Sequence, residues 1–260
     1  MFQLPEPLDA HNHPILPLTE DSGTLDKLFR ICYPVPDPQL DNLEDVGAVL
    51  AAGVKYDMEG VQAVCTKALL DPDLGQEDPV GVYAVAVNLK LLDEACAAAG
   101  QTLRYPHEVL TPPSSTLASL PATAYVYLLQ YRERCRLAAL KAVDAFSDSL
   151  YQTSELYEYD CHECEDPTQV RIPHWNHPRR WFVLDQNDYL SYTVELLEAT
   201  PSGDALLEDA ELGLCRFVKS LLPACKNCRR RIRNAMQYWR KYFAEEVNKA
   251  VAKQRLQITF

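Results

Sequence analysis

Apolar residues recur at helical spacing along most of the chain. Leu25, Leu28, Phe29 and Cys32 give a first stripe, which Tyr33-Pro34 ends because a residue before proline is pushed out of the helical region. Pro34, Pro36 and Pro38 make a stiff connection. Asn42 is placed to cap a helix from Leu43, with Glu44 and Asp45 in the first turn, where free amides favour carboxylates. Val46, Val49, Leu50 and Val54 carry that stripe to a tight turn over Tyr56–Gly60, and Val61, Val64, Cys65, Ala68 and Leu69 resume it. Val80, Tyr83, Ala84 and Val87, a turn at Asn88–Leu91, and Leu92, Ala95, Cys96 and Ala99 repeat the arrangement. Two helical hairpins are thus predicted over residues 43–104. Neither can bury its apolar side alone, so they must stack.

Thr111–Thr116, with two prolines and two serines, reads as a linker. Tyr125, Leu128, Leu129, Cys135, Leu137, Leu140, Val143 and Phe146 predict one long helix to about Leu150, with Arg132, Glu133, Arg134 and Arg136 facing solvent for part of it. Asp188–Ala199 and Ala205–Leu222 read as helices, and Arg180–Leu184 has the density of a short buried strand. A final helix over about 229–253 aligns Ile232, Met236, Trp239, Phe243 and Val247, facing Leu214, Phe217, Val218 and Leu221 of the helix before it. His13–Leu18 suits a terminal strand, and Leu256–Phe260 alternates like a small closing strand.

At 260 residues with 47 % hydrophobic content the chain holds one large domain or two ordinary ones. It carries no apolar run long enough to cross a membrane, and Met1–Asp21 resembles no secretory leader, so an intracellular protein, cytoplasmic or nuclear, is expected. The net charge of −12 is uneven: residues 1–120 hold 6 basic and 18 acidic side chains, whereas residues 226–260 hold 10 and 2. The acidic bulk argues against nonspecific DNA binding. Arg229, Arg230, Arg231, Arg233, Arg240 and Lys241 form a basic patch that suits phosphate contact, or a solvated face paired with the acidic body.

Nine cysteines are an odd number in a chain too long to need disulfides. Cys32, Cys65, Cys96 and Cys135 lie singly in helical patterns, as buried thiols do. Cys161-x-x-Cys164 and Cys225-x-x-Cys228 are different. Each hook can aim two thiolates at one ion, and together they make a tetrahedral set for Zn2+, with sulfurs about 2.3 Å from the metal. The second hook lies at the start of the last helix, whose free amides favour thiolates. His162, His174 or His177 could replace one thiol, or the site could hold no metal. Four protein ligands leave no open position, so such a zinc is structural.

Catalytic signals are weak. Asp9-Ala-His11-Asn-His13 contains an HxH pair, but no repeated strand–helix scaffold follows to complete a metal site. No GxSxG elbow, Walker loop, dinucleotide loop or HExxH occurs, and the HxE and PCxxC pair of zinc deaminases is absent. No catalytic residues, small-molecule substrate or enzyme class are expected.

The runs HPILPLTEDSGTLDKLFRICYP, LEDVGAVLAAGVKYDMEGVQAVCTKALL and DPVGVYAVAVNLKLLDEACAAA resemble the BTB (POZ) domains of basidiomycete fungi, from near Phe2 to near Leu103. The region from the long helix to the C-terminal CxxC resembles the usual tail of those proteins. Complete domains open with two strands and a helical hairpin that Met1–His13 cannot supply, so the domain is expected to be partial or divergent. An exposed apolar patch is expected on residues 25–104 as a result. The resemblance implies a noncatalytic protein-interaction module, acting on a protein partner or by self-association. The alternative is a zinc-containing, nucleic-acid-associated or transcription-related factor that uses the basic helix.

The expected fold is therefore mostly α, with partial BTB-like hairpins, a long helix and a small zinc-stapled α(+β) module. The expected division is 1–106 for the BTB-like region, 107–120 for the linker, 121–158 for the connecting helix, and 159–260 for the module bearing Cys161, Cys164, Cys225 and Cys228.

Overall fold

The computed structural model describes residues 17–111, 114–151, 186–208 and 226–260. Helices α1 (Ser22–Cys32), α2 (Leu43–Lys55), α3 (Glu59–Leu69), α4 (Pro72–Glu77), α5 (Pro79–Asn88) and α6 (Leu92–Gln101) form the N-terminal part. Two short 3-10 turns, Thr102–Arg104 and His107–Leu110, lead to α7 (Ser114–Ser119) and the long α8 (Ala122–Tyr151). Helices α9 (Gln186–Ala199), α10 (Gly203–Glu208) and α11 (Lys226–Val251) complete the described elements.

The helix starts are written in the sequence. Asp21, Asn42, Asp71 and Asp78 each accept a main-chain N–H of the helix that follows, and Pro72 and Pro79 stand in the first turn, where a missing N–H costs nothing. The stops of α2 and α5 are one motif used twice. Asp57 and Lys90 take left-handed φ values of 55° and 57°. The N–H of Asp57 reaches Val54 O and that of Met58 reaches Gly53 O; Lys90 reaches Val87 O and Leu91 reaches Ala86 O. These paired bonds satisfy carbonyls that the helix end would leave orphaned. The partly buried Met58 and Leu91 close each cap against the core. The chain thereby reverses at 56–58 and at 89–91, and α2 packs on α3 as α5 packs on α6.

Helix α5 is the centre of this half. Val80, Val82, Tyr83, Ala84, Ala86 and Val87 cover every side of it and all are buried, as a helix apolar all round requires. Tyr83 donates to Ala124 O at 3.0 Å, tying α5 to the start of α8 while satisfying its own hydroxyl. Ala124, Leu128, Tyr131, Cys135, Ala139 and Val143 form the buried stripe of α8, and Phe243, Ala244, Val247 and Val251 that of α11. Helices α8 and α11 pack on each other.

Several expectations are corrected. Among the described residues there is no β-strand, so the α(+β) description gives way to a mostly helical one. Leu256–Phe260 does not pair; Leu256 and Ile258 pack singly on the helical core, which accounts for their alternation. Within the expected linker at 107–120, Ser114–Ser119 forms a short helix. The described inner face of α11 meets α8 and α10. Its expected partners Leu214, Phe217, Val218 and Leu221 lie outside the described residues, as do Arg180–Leu184 and His13.

Candidate functional site

Two places gather functional groups among the described residues: a buried arginine joint and an exposed aromatic face.

The joint forms where the N-terminal hairpins meet the later helices. Arg132 on α8 is 5 % exposed, although its charge and neighbours suggested a solvent face. Its guanidinium donates to Thr102 O at 2.5 Å, Tyr105 O at 2.5 Å and Ala199 O at 2.6 Å. Two chain segments, the turn at 102–105 and the end of α9, thus place three carbonyls on one cation, a use suited to the planar guanidinium fork. Burial pushes the Arg132 pKa down to about 10, so the group stays charged at neutral pH. Arg240 on α11 is also buried and donates to Leu206 O at 2.7 Å and to Leu207 O, capping α10. Asn248 completes the joint, accepting from Gly203 N–H at 2.8 Å and donating to Asp204, which also pairs with Arg104 at 2.7 Å.

The aromatic face belongs to α1. Asp21 caps that helix through Thr24 N–H at 2.8 Å, Leu28 anchors it in the core, and Lys27 pairs with Asp45 of α2 at 2.8 Å. These three contacts fix which side of α1 is left outward. Phe29 (47 % exposed) and Tyr33 (63 %) lie there with ring centroids 6.3 Å apart, and Val35 follows at 46 %. Beside the start of α1, Lys55 donates to Glu20 and Thr19, each at 2.7 Å, and Tyr56 donates to Glu20 at 2.6 Å. The Lys55 ammonium, with the Tyr56 hydroxyl second, lowers the Glu20 pKa to about 2.

The predicted metal centre does not stand. No group of three or more His, Cys, Asp or Glu side chains among the described residues is arranged to hold a metal ion. Cys161, Cys164 and Cys225, with His162, His174 and His177, lie outside the described residues; Cys228 lies on the α11 backbone. The structural Zn2+ is therefore withdrawn, and with it the zinc-stapled module and the nucleic-acid reading that depended on it. Arg240, counted in the basic patch, is spent on main-chain carbonyls, and Phe243 is 0 % exposed. The described cysteines divide: Cys65 and Cys135 are buried, but Cys32 and Cys96 are exposed, against expectation. Burial pushes the Cys65 thiol up to about 11, away from nucleophilic use.

Sequence periodicity assigned Phe29 and Cys32 to the core, and the structure puts both outside. The missed signal was the pair Phe29 and Tyr33, four residues apart across the end of α1, where Tyr33 is the extended C-cap. No helix among the described residues is long and apolar enough to cross a membrane. No protein-family model matches the chain, and no characterised protein or solved structure matches it. Together with the absence of strands among the described residues, this overturns the resemblance to fungal BTB domains and the interaction role inferred from it.

Proposed function

We propose that the chain acts without catalysis, as a helical scaffold whose partner is a basic, amphipathic segment of another protein seated on the outer face of α1. The observation that carries this reading is the aromatic pair Phe29 and Tyr33, held outward on a capped helix and continued by Val35. Aromatic side chains supply much of the energy at protein interfaces and lose little entropy on binding.

Charge selects the partner. The cations between residues 17 and 60 are already committed: Lys27 to Asp45, Arg30 to Asp26, and Lys55 to Glu20. Asp37, Asp41, Glu44, Asp57 and Glu59 join no ion pair among the described residues, and residues 17–60 hold nine carboxylates against three cations. A second copy would bring the same excess of carboxylates and be repelled, whereas a lysine-rich segment is steered in. The buried arginines support the noncatalytic part of the reading, since both spend their donors on carbonyls of the fold.

The test is calorimetric titration with a synthetic 18-residue helix bearing leucines on one face and lysines on the other. The control peptide has serines for leucines and an equal charge. Tighter binding of the leucine peptide, weakened by salt and abolished by Phe29→Ser with Tyr33→Ser, supports the proposal. Equal binding of both peptides, or an unchanged affinity in the double variant, overturns it. A dimer that forms at low micromolar concentration and is lost in the double variant assigns the face to a second copy, and also overturns it.

A further inference from the structure

The joint described above has an asymmetry. Seen from the N-terminal half, Arg132 gives two of its three bonds to carbonyls of that half, Thr102 and Tyr105, and one to Ala199. The segment Gln186–Glu208, made of α9, a short turn and α10, gathers a cluster of polar bonds at that turn. Arg132 takes Ala199 O, Asn248 takes Gly203 N–H, Arg104 and Asn248 take Asp204, and Arg240 takes Leu206 O. Among the described side chains its apolar anchors are Leu197, Ala205 and Leu206, with Val194 and Leu196 partly buried against the core. The hairpins are unlike this, with Val46, Val49, Leu50, Val61, Leu69, Val82 and Tyr83 at 1 % exposure or less.

We propose that Gln186–Glu208 is a strap that opens from α8 and α11 as one unit while the N-terminal hairpins stay folded, with the turn at Ala199–Asp204 as its latch. Two features make the latch act as a unit. Gly203 sits so close to α11 that a Cβ there would fall 2.1 Å from Ala244 O, so the turn is either seated or clear of the helix. Asn248 bonds both Gly203 and Asp204, so leaving the seat breaks both together. Closing the strap restores them together. Segments with little buried apolar surface open at lower free energy than the core to which they are attached. Opening uncovers the parts of α8 and α11 that α9 and α10 pack against, so the strap controls access to an apolar surface at the centre of the chain.

Hydrogen exchange read by mass spectrometry, with urea at concentrations below unfolding, tests this on the full chain. Amides of residues 193–206 should exchange through a step with weak urea dependence, ahead of those in α2 and α5. Asn248→Ala, which removes the shared bond partner without touching the hairpins, should speed strap exchange by about tenfold and leave α2 and α5 unchanged. Equal protection and equal urea dependence in strap and hairpins would overturn the proposal. So would an Asn248→Ala variant that accelerates both in parallel, because each result describes one cooperative body with no separate strap.

Discussion

Replacing Arg132 by methionine removes a cation from the interior while keeping most of the side-chain volume, so the cost isolates the carbonyls. Thr102 is 0 % exposed, and its oxygen loses a partner that water cannot easily replace. Thr102 O keeps only a long bond from Tyr105 N–H at 3.3 Å, and losing a bond to a charged donor costs about 1.5–3 kcal/mol. Tyr105 O and Ala199 O are bonded in part-buried settings and recover some hydration, so each adds about 0.5–1 kcal/mol. Relief of guanidinium desolvation, the force that lowers the Arg132 pKa, offsets part of this. The expected net loss is about 2–4 kcal/mol, a large share of the roughly 5–15 kcal/mol that separates folded from unfolded domains. Arg132→Lys keeps the charge but cannot span three carbonyls, and should fall between wild type and methionine. Urea unfolding followed by far-UV circular dichroism reads the difference. A methionine variant within about 0.5 kcal/mol of wild type, or more stable, would refute the claim that this cation is retained for the carbonyls it serves.

Three further outcomes follow from particular positions. Gly203→Ala should destabilise by about 1–3 kcal/mol through overpacking, since the added methyl meets Ala244 O; a thermal unfolding midpoint equal to wild type would contradict this. Lys90→Gly should stabilise by about 0.5–1 kcal/mol, because glycine accepts the left-handed φ of 57° that lysine resists; a loss of stability in urea would show that the Lys90 side chain has a role of its own. Glu20 has a folded pKa of about 2, below the ordinary carboxylate value of about 4.3, so its contribution to stability is present above the unfolded value and lost as pH falls through the folded one. Carboxyl carbon NMR should show Glu20 titrating near pH 2, and Lys55→Ala should move that titration upward.

Local rules carried the helices and failed on the surfaces. The cap at Asn42 and the stripes of α2, α3, α5 and α8 were visible because each depends on residues within a turn or two of one another. The position of Phe29 was not, because which stripe of α1 faces inward depends on Lys27 reaching Asp45 and on Leu28 entering the core, both contacts with another helix. Arg132 and Arg240 misled in the same way: charge predicted solvent, but helix ends arriving from distant segments supplied enough carbonyls to bury them. Leu256–Phe260 alternates with the period of a strand, yet period alone does not provide a partner strand to pair with. The family resemblance failed because helical pairs with matching apolar spacing are a general solution to burial, shared by unrelated chains.

Whether α1 presents a protein-contact face is decided by a hydrogen-exchange footprint of the full chain with and without the leucine–lysine peptide. Exchange should slow over the second half of α1 and the following residues through Val35, with α9–α11 unchanged, and that footprint should be lost in the Phe29→Ser, Tyr33→Ser variant. Slowed exchange elsewhere on the chain with α1 unaffected would contradict a contact face on α1.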